Sequence, residues 1–112
     1  MSEKRLDKLR VMAEYESSGI WVIEPVGPFR HGMIRHEALD VPSGLSSQFR
    51  EWIDLYWQRI DEDISSDEDT KKFNQTGRTL AKALKDYLGP NVYVEYIPEL
   101  PDGSRGSSEI IE

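Results

Sequence analysis

The chain has 112 residues, of which 38% are hydrophobic and 10% aromatic, enough for one domain with a modest core. It contains no cysteine, which excludes disulfides, thiol nucleophiles and cysteine-based zinc sites. The net charge of −7 disfavours direct nucleic-acid binding and favours a basic protein partner. The charged N-terminal residues and the lack of a long apolar run predict a cytoplasmic protein without a membrane span.

The first elements have the pattern of a β-hairpin. Leu9, Val11, Ala13 and Tyr15 alternate with Arg10, Met12 and Glu14, the pattern of a half-buried strand. Ser17-Ser18-Gly19 is a turn signal, and Ile20-Trp21-Val22-Ile23 resumes as a second strand. We therefore predict two antiparallel strands. Glu14 and Glu16 then fall on the outer face of the first strand, towards solvent or a partner.

The stretch from 26 to 44 is irregular, with several glycines and prolines and one short candidate strand at Met33-Ile34. It holds both histidines, His31 and His36. Their spacing of five matches neither a helix face nor strand alternation, so we interpret them as two surface histidines rather than as a metal or acid–base pair.

A helix follows, with Ser46 or Ser47 as its cap. Its predicted buried face is Leu45, Phe49, Trp52, Ile53, Tyr56 and Ile60. Trp57 lies at the flank of this face. It is either an exposed contact or a partly buried structural residue, and the pattern favours the second.

Residues 61–69, DEDISSDED, carry a net charge of −6 between two predicted helices. One interpretation is a solvated link in which Ser66 and Asp69 form a capping box for the second helix. The other is a surface that imitates a row of phosphates and occupies the basic cleft of a nuclease or another cationic protein.

The second helix has an apolar stripe at spacings of three and four, made by Phe73, Gly77, Leu80, Leu84, Tyr87 and Leu88. Gly77 on this stripe predicts the close approach of another backbone, and Gly89-Pro90 ends the helix. Alternation over 92–97 predicts a strand. Residues 98–112 contain two prolines, two glycines and three serines, which predicts a flexible C-terminal tail.

These elements predict an α/β (α+β) fold: a small two-layer sandwich with two helices on one face of a three- or four-stranded sheet. Residues 1–97 form a single domain in this prediction, with the first and last strands side by side. The sequence contains no nucleophile elbow and no phosphate-binding loop, and its two histidines suggest no metal site, so we predict neither an enzyme nor a cofactor.

Several blocks resemble a family of small bacterial proteins that includes immunity proteins of polymorphic toxin and contact-dependent growth inhibition systems. The similarity covers about residues 9–97. Its residues are Val11-Met12-Ala13-Glu14-Tyr15, Ser17-Ser18, Ile20-Trp21, Leu39, Val41-Pro42, Leu45, Phe49, Trp52, Tyr56, Phe73-Asn74, Gly77-Arg78, Leu80-Ala81, Leu84, Leu88-Gly89-Pro90, Val92 and Val94-Glu95-Tyr96. The resemblance implies a non-catalytic inhibitor that binds a cognate toxin.

Our hypothesis is an immunity protein that neutralises a toxin, a nuclease in the sharper version, by blocking its basic active cleft. The alternative is a non-catalytic adaptor or regulatory protein that binds another bacterial protein. The predicted partner-binding residues are the acidic groups of the link, two strand carboxylates and two aromatic anchors: Asp61, Glu62, Asp63, Asp67, Glu68, Glu14, Glu16, Tyr56 and Trp57.

Overall fold

The computed structural model describes residues 8–14, 17–23, 32–61, 66–101 and 104–112, with the backbone alone described at 60 and 61. Its strands are β1 (Lys8–Val11), β2 (Ile20–Val22), β3 (Tyr93–Tyr96) and β4 (Glu109–Ile111). Its helices are α1 (Ser43–Asp61), preceded by a 3-10 turn (His36–Leu39), and α2 (Asp67–Leu88). Within the described residues, neither helix is both long and apolar enough to cross a membrane.

The strands form one mixed sheet in the order β2-β1-β3-β4. β1 and β2 are antiparallel, with Leu9 opposite Val22, so the predicted hairpin is confirmed. β1 also runs parallel to β3, with Leu9 opposite Val94, which confirms that the first and last predicted strands are neighbours. β1 ends earlier than predicted, at Val11, although the Met12 amide still donates to the Gly19 carbonyl (3.0 Å).

Both helices cover one face of this sheet, as predicted, and the core lies between the two layers. Its buried side chains are Leu9, Val11, Ala13, Ile20, Val22, Ile34, Phe49, Trp52, Ile53, Tyr56, Phe73, Leu80, Ala81, Leu84, Val94 and Tyr96. The ring of Trp52 joins the layers, since its centroid is 5.1 Å from that of Phe73 and 6.1 Å from that of Tyr96. These aromatic contacts add specific geometry to the apolar burial.

The helix α2 follows its predicted stripe closely. Phe73, Gly77, Leu80 and Leu84 are buried, whereas Tyr87 near its end is 43% exposed. The prediction that another backbone approaches Gly77 is wrong: the ring of Tyr96 occupies the space where a Cβ would stand. The glycine therefore makes room for a large buried aromatic side chain.

The C-terminal segment differs from the predicted flexible tail. Residues 109–111 pair with β3 as β4, with Ile110 opposite Glu95. Arg78 of α2 holds this strand, because its Nε and Nη2 atoms donate to the two carboxylate oxygens of Glu109 at 2.7 and 2.9 Å. A run rich in glycine, proline and serine thus contains three residues with a definite place in the sheet.

Candidate partner-binding surface

The acidic N-terminus of α2 is built around Ser66. The Ser66 hydroxyl accepts a hydrogen bond from the Asp69 amide (3.2 Å) and donates to the Asp69 carboxylate (2.9 Å), so the predicted cap is confirmed. Asp67 and Glu68 lie beside it in the first turn, and all three carboxylate residues are exposed. Negative charge at this position is stabilised by the helix dipole.

Residues 61–69 carry more carboxylates than the Ser66 cap requires. Glu68 approaches Lys72 at 3.7 Å, but both side chains are more than 70% exposed, so the pair contributes little energy. Asp67 has no partner in the described part of the chain. Asp61 is the last residue of α1, where the backbone alone is described, and Glu62 and Asp63 lie outside the described residues.

Glu14 belongs to a different arrangement from the one predicted. It lies beyond the end of β1, half-buried, and accepts a hydrogen bond from Arg105 Nη2 at 2.9 Å. The same guanidinium approaches the carboxylate of Glu99 at 4.0 Å. Glu16, the second predicted strand carboxylate, lies outside the described residues. Glu14 is thus part of an ion-pair cluster with the C-terminal segment.

A buried polar network joins this cluster to α2. The amide side chain of Asn74 donates to the Glu99 carbonyl and accepts from the Glu99 amide, both at 2.9 Å. It also accepts from the Tyr96 hydroxyl at 2.8 Å. Burial raises the pKa of the Glu99 carboxyl above its usual range, although Arg105 and Arg59 oppose the rise.

Arg59 ties the end of α1 to the start of α2. Its Nη2 atom donates to the Thr70 hydroxyl at 3.1 Å, and its guanidinium lies 5.1 Å from the Phe73 ring centroid. The charge of Arg59 also acts on Glu99. The end of α1, the start of α2, Glu14 and the segment after β3 therefore lie at one end of the molecule.

The two predicted aromatic anchors have structural positions. Tyr56 is only 7% exposed, with its ring 6.3 Å from that of Phe73, so it has little surface to offer a partner. Trp57 is half-buried against the core, which agrees with the structural interpretation of this residue. The exposed apolar residue of this part of α1 is instead Leu55, at 45%. The sequence indicated the exposure of Leu55 through its position outside the predicted buried face of this helix.

The prediction of two surface histidines is wrong for His36, and His31 lies outside the described residues. His36 is 7% exposed, and its Nε2 atom contacts the Ser18 carbonyl at 2.9 Å. Because a carbonyl only accepts hydrogen bonds, Nε2 is the donor in this contact, and Nδ1 lies 2.5 Å from the Ser46 hydroxyl oxygen. Ser46 joins two segments in this way instead of capping α1, which begins at Ser43.

This buried pair gives no catalytic site. A serine nucleophile must face a substrate, and Ser46 is 8% exposed, while the far nitrogen of His36 meets a carbonyl instead of an orienting carboxylate. Among the described residues, no group of three or more histidine and acidic side chains is arranged to hold a metal ion. The exposed groups near the start of α2 include the carboxylates of Asp67, Glu68 and Asp69 and the side chain of Leu55.

Residues 7–99 match the model of the family described as Serratia CdiI immunity protein-like. The chain belongs to this family. It is accordingly an immunity protein of a contact-dependent growth inhibition system, a toxin inhibitor without catalytic activity, as the resemblance implied. Membership supports toxin neutralisation over the adaptor alternative. No curated protein and no solved structure matches the chain.

The extent of the match separates two parts of the CdiI-like chain. The matched residues include β1 to β3 and both helices, whereas β4 at Glu109–Ile111 lies beyond them. Arg78 lies inside the matched segment and Glu109 outside it, so their ion pair joins the family fold to the C-terminal strand.

Proposed function

We propose that this immunity protein neutralises a nuclease toxin by placing the carboxylates of residues 61–69, the α1–α2 junction, on the basic cleft where the toxin binds nucleic acid. Family membership supports the inhibition of a toxin. The finer proposal depends on charge, since nine residues at this junction carry −6 of the total of −7. We expect the inhibition to take place in the cytoplasm of the protected cell.

The observation that carries the proposal is the exposure of Asp67 and Glu68. Asp67 has no partner in the described part of the chain and Glu68 has only an exposed one, so both charges are available to a cationic surface. Complementary charge raises association rates and suppresses wrong partners. A nuclease cleft, which must attract phosphates, presents the matching positive potential.

The polar network below the junction supports this function. Arg59, Asn74 and Glu99 connect α1, α2 and the segment after β3, so the carboxylates stand on a rigid base. A turn of helix whose backbone is held in place before binding loses less conformational entropy in the complex.

The test uses the purified cognate toxin domain. Binding kinetics of the wild type and of Asp67→Asn/Glu68→Gln are compared at low and high salt. We expect association slowed on the order of tenfold at low salt, with the difference shrinking at high salt. The matched control is Glu37→Gln/Asp86→Asn, which removes two exposed carboxylates elsewhere.

Two outcomes would contradict the proposal. Equal association rates for the test and control variants would show that net charge, not this surface, guides the toxin. The absence of nuclease activity in the isolated toxin, or simultaneous binding of an oligonucleotide and the immunity protein, would exclude cleft blocking.

A further inference from the structure

The outer edge of β4 is an open edge of the sheet. β4 is the last strand and pairs with β3 alone, and no other segment of the described residues forms a backbone hydrogen bond with its far side. A cavity of about 600 Å³ adjoins the strand, and Tyr93, Ile110 and Ile111 are among its lining residues. An open strand edge is a template for a further strand.

The pairing of β3 shows which residue of β4 faces this edge. The amide of Ile97, directly after β3, donates to Val11 beside β3 at 3.0 Å. Backbone groups of successive strand residues point to opposite sides, so Glu95 also faces β1. Ile110 lies opposite Glu95 in the antiparallel pair. It therefore turns its N–H and C=O away from β3, towards the open edge.

The side chains of β4 leave this edge unprotected. Ile110 is 64% exposed, the most of any large hydrophobic side chain that the structure describes. Proteins commonly protect an edge strand with a charged side chain. The charged residue of β4 is Glu109, but its carboxylate is paired with Arg78 of α2. An exposed isoleucine thus stands where a charge would prevent pairing.

A second copy of the chain fits this edge when Ile110 lies opposite Ile110 of the copy. The two residues then exchange both of their backbone N–H···O bonds. In this register each Glu109 faces Ile111 of the other copy, and each Glu112 faces Ser108. No two carboxylates lie directly opposite each other, and the two exposed isoleucine side chains cover one another.

The neighbouring symmetric registers fit less well. A register centred on Glu109 would place two carboxylates directly opposite each other, which is destabilising. A register centred on Ile111 would use the backbone of Glu112, whose carbonyl already accepts a hydrogen bond from Lys82 at 2.8 Å. The sequence of β4 therefore favours one self-complementary arrangement.

We propose that two copies of this chain associate through β4, with Ile110 at the two-fold axis and the two sheets joined into one. The inference is independent of the proposed mechanism, because β4 lies outside residues 7–99, which match the family. Arg78, which contacts β4, is about 17 Å along α2 from Asp67, so the acidic junction stays accessible in the dimer. Self-complementarity favours a second copy over a strand of the toxin as the occupant of this edge.

The first experiment measures self-association of the full chain by sedimentation equilibrium. Wild-type protein should form dimers as its concentration rises. Ile110→Lys places two ammonium groups opposite each other at the axis and should raise the dimer dissociation constant at least about tenfold. Leu55→Lys is the matched control, since it makes the same change at an exposed leucine of α1. Chemical denaturation checks that both variants remain folded.

The second experiment uses the lack of cysteine in this chain. In the proposed register the α-carbons of the two residues at position 110 lie about 5.5 Å apart, as in any hydrogen-bonded antiparallel pair, which is within the range of a disulfide. Under mild oxidation, Ile110→Cys should form a covalent dimer at least about tenfold faster than Leu55→Cys.

Three results would overturn the inference. A wild-type chain that stays monomeric, with equal cross-linking of the two cysteine variants, would show that the edge does not pair with itself. Weaker toxin binding by Ile110→Lys in such a monomer would assign the edge to a strand of the toxin. A dimer that persists in Ile110→Lys would place the interface elsewhere. Asp67→Asn/Glu68→Gln should dimerise like the wild type whatever its effect on toxin binding, so the two proposals fail separately.

Discussion

The ring of Tyr96 lies directly against the α-carbon of Gly77. The Tyr96 hydroxyl donates a hydrogen bond to Oδ1 of Asn74 at 2.8 Å. Tyr96 is fully buried, and Arg78 stands 5.7 Å from its ring centroid. One aromatic side chain therefore joins the sheet, the middle of α2 and the polar network below the acidic junction.

Gly77→Ala should destabilise the protein by about 1–3 kcal/mol, the usual range for an overfilled core. The new methyl group would overlap the Tyr96 ring, which is enclosed and cannot move aside without breaking its bond to Asn74. Alanine's higher helix propensity, about 1 kcal/mol, opposes only part of this loss. Chemical denaturation measures the difference.

Gly44→Ala is the matched control for that change. Apart from its chain neighbours and the local helix backbone, no atom lies within 4 Å of a Cβ at Gly44, which is also helical, so this substitution should be neutral or stabilising. Equal effects of the two substitutions would show that the Tyr96 ring does not restrict Gly77.

Leu84→Ala should cost about 2–5 kcal/mol, because Leu84 is fully buried at the centre of the α2 stripe and its removal leaves a cavity. The comparison is Leu55→Ala, which should change stability by less than about 0.5 kcal/mol since Leu55 is exposed. A denaturation midpoint of Leu84→Ala equal to that of the wild type would mean that this side chain does not contribute to the core.

Local patterns predicted the elements that depend on short-range periodicity. The stripe of α2, its Ser66 cap and the hairpin of β1 and β2 all follow from spacing and turn residues. These features depend on which face of an element is apolar, and the sequence records that directly.

The pairing of β1 with β3 was predicted as a matter of topology, but other features that depend on pairs distant in sequence were missed. β4 is held in the sheet by the ion pair of Glu109 with Arg78, which is 31 residues away in sequence. The glycine, proline and serine residues around β4 predict flexibility and give no sign of that partner. His36 and Ser46 meet only after the chain turns into α1, so their spacing of ten carries no periodic signal. Tyr56 and Leu55 are adjacent, and the periodicity of α1 already places Tyr56 on the buried face and Leu55 off it, which argues against Tyr56 as an exposed anchor.

Glu109→Gln removes the ion pair with Arg78 and should reduce stability near neutral pH. The loss should be at most about 1 kcal/mol, because this ion pair is partly exposed. The hydrogen bonds from Arg78 lower the pKa of Glu109 below its ordinary 4.5. This stabilisation is therefore complete above about pH 4.5 and is lost as the pH falls through the folded-state value. Denaturation of both proteins near neutral pH and near pH 3 should show the difference shrink at the lower pH; an equal difference at both would contradict the assignment.

Glu99→Gln should act in the opposite direction and stabilise the protein near neutral pH. Burial raises the pKa of Glu99 from its ordinary 4.5, so its charged form is less favourable in the folded chain than in the unfolded one. That penalty is present above the raised folded-state pKa and disappears as the pH falls towards the ordinary value. Asn74 bonds only the backbone of Glu99, so the substitution leaves these contacts in place.

Denaturation across the acidic range checks this expectation, with Glu37→Gln as the control because Glu37 is exposed. The gain from Glu99→Gln should be largest near neutral pH and absent near pH 3, whereas Glu37→Gln should show little change at either. Lower stability of Glu99→Gln near neutral pH would contradict the expectation. It would mean that the attraction of Arg105 and Arg59 outweighs the burial of the Glu99 carboxylate, and that this ion cluster itself stabilises the end of the molecule that carries the acidic junction.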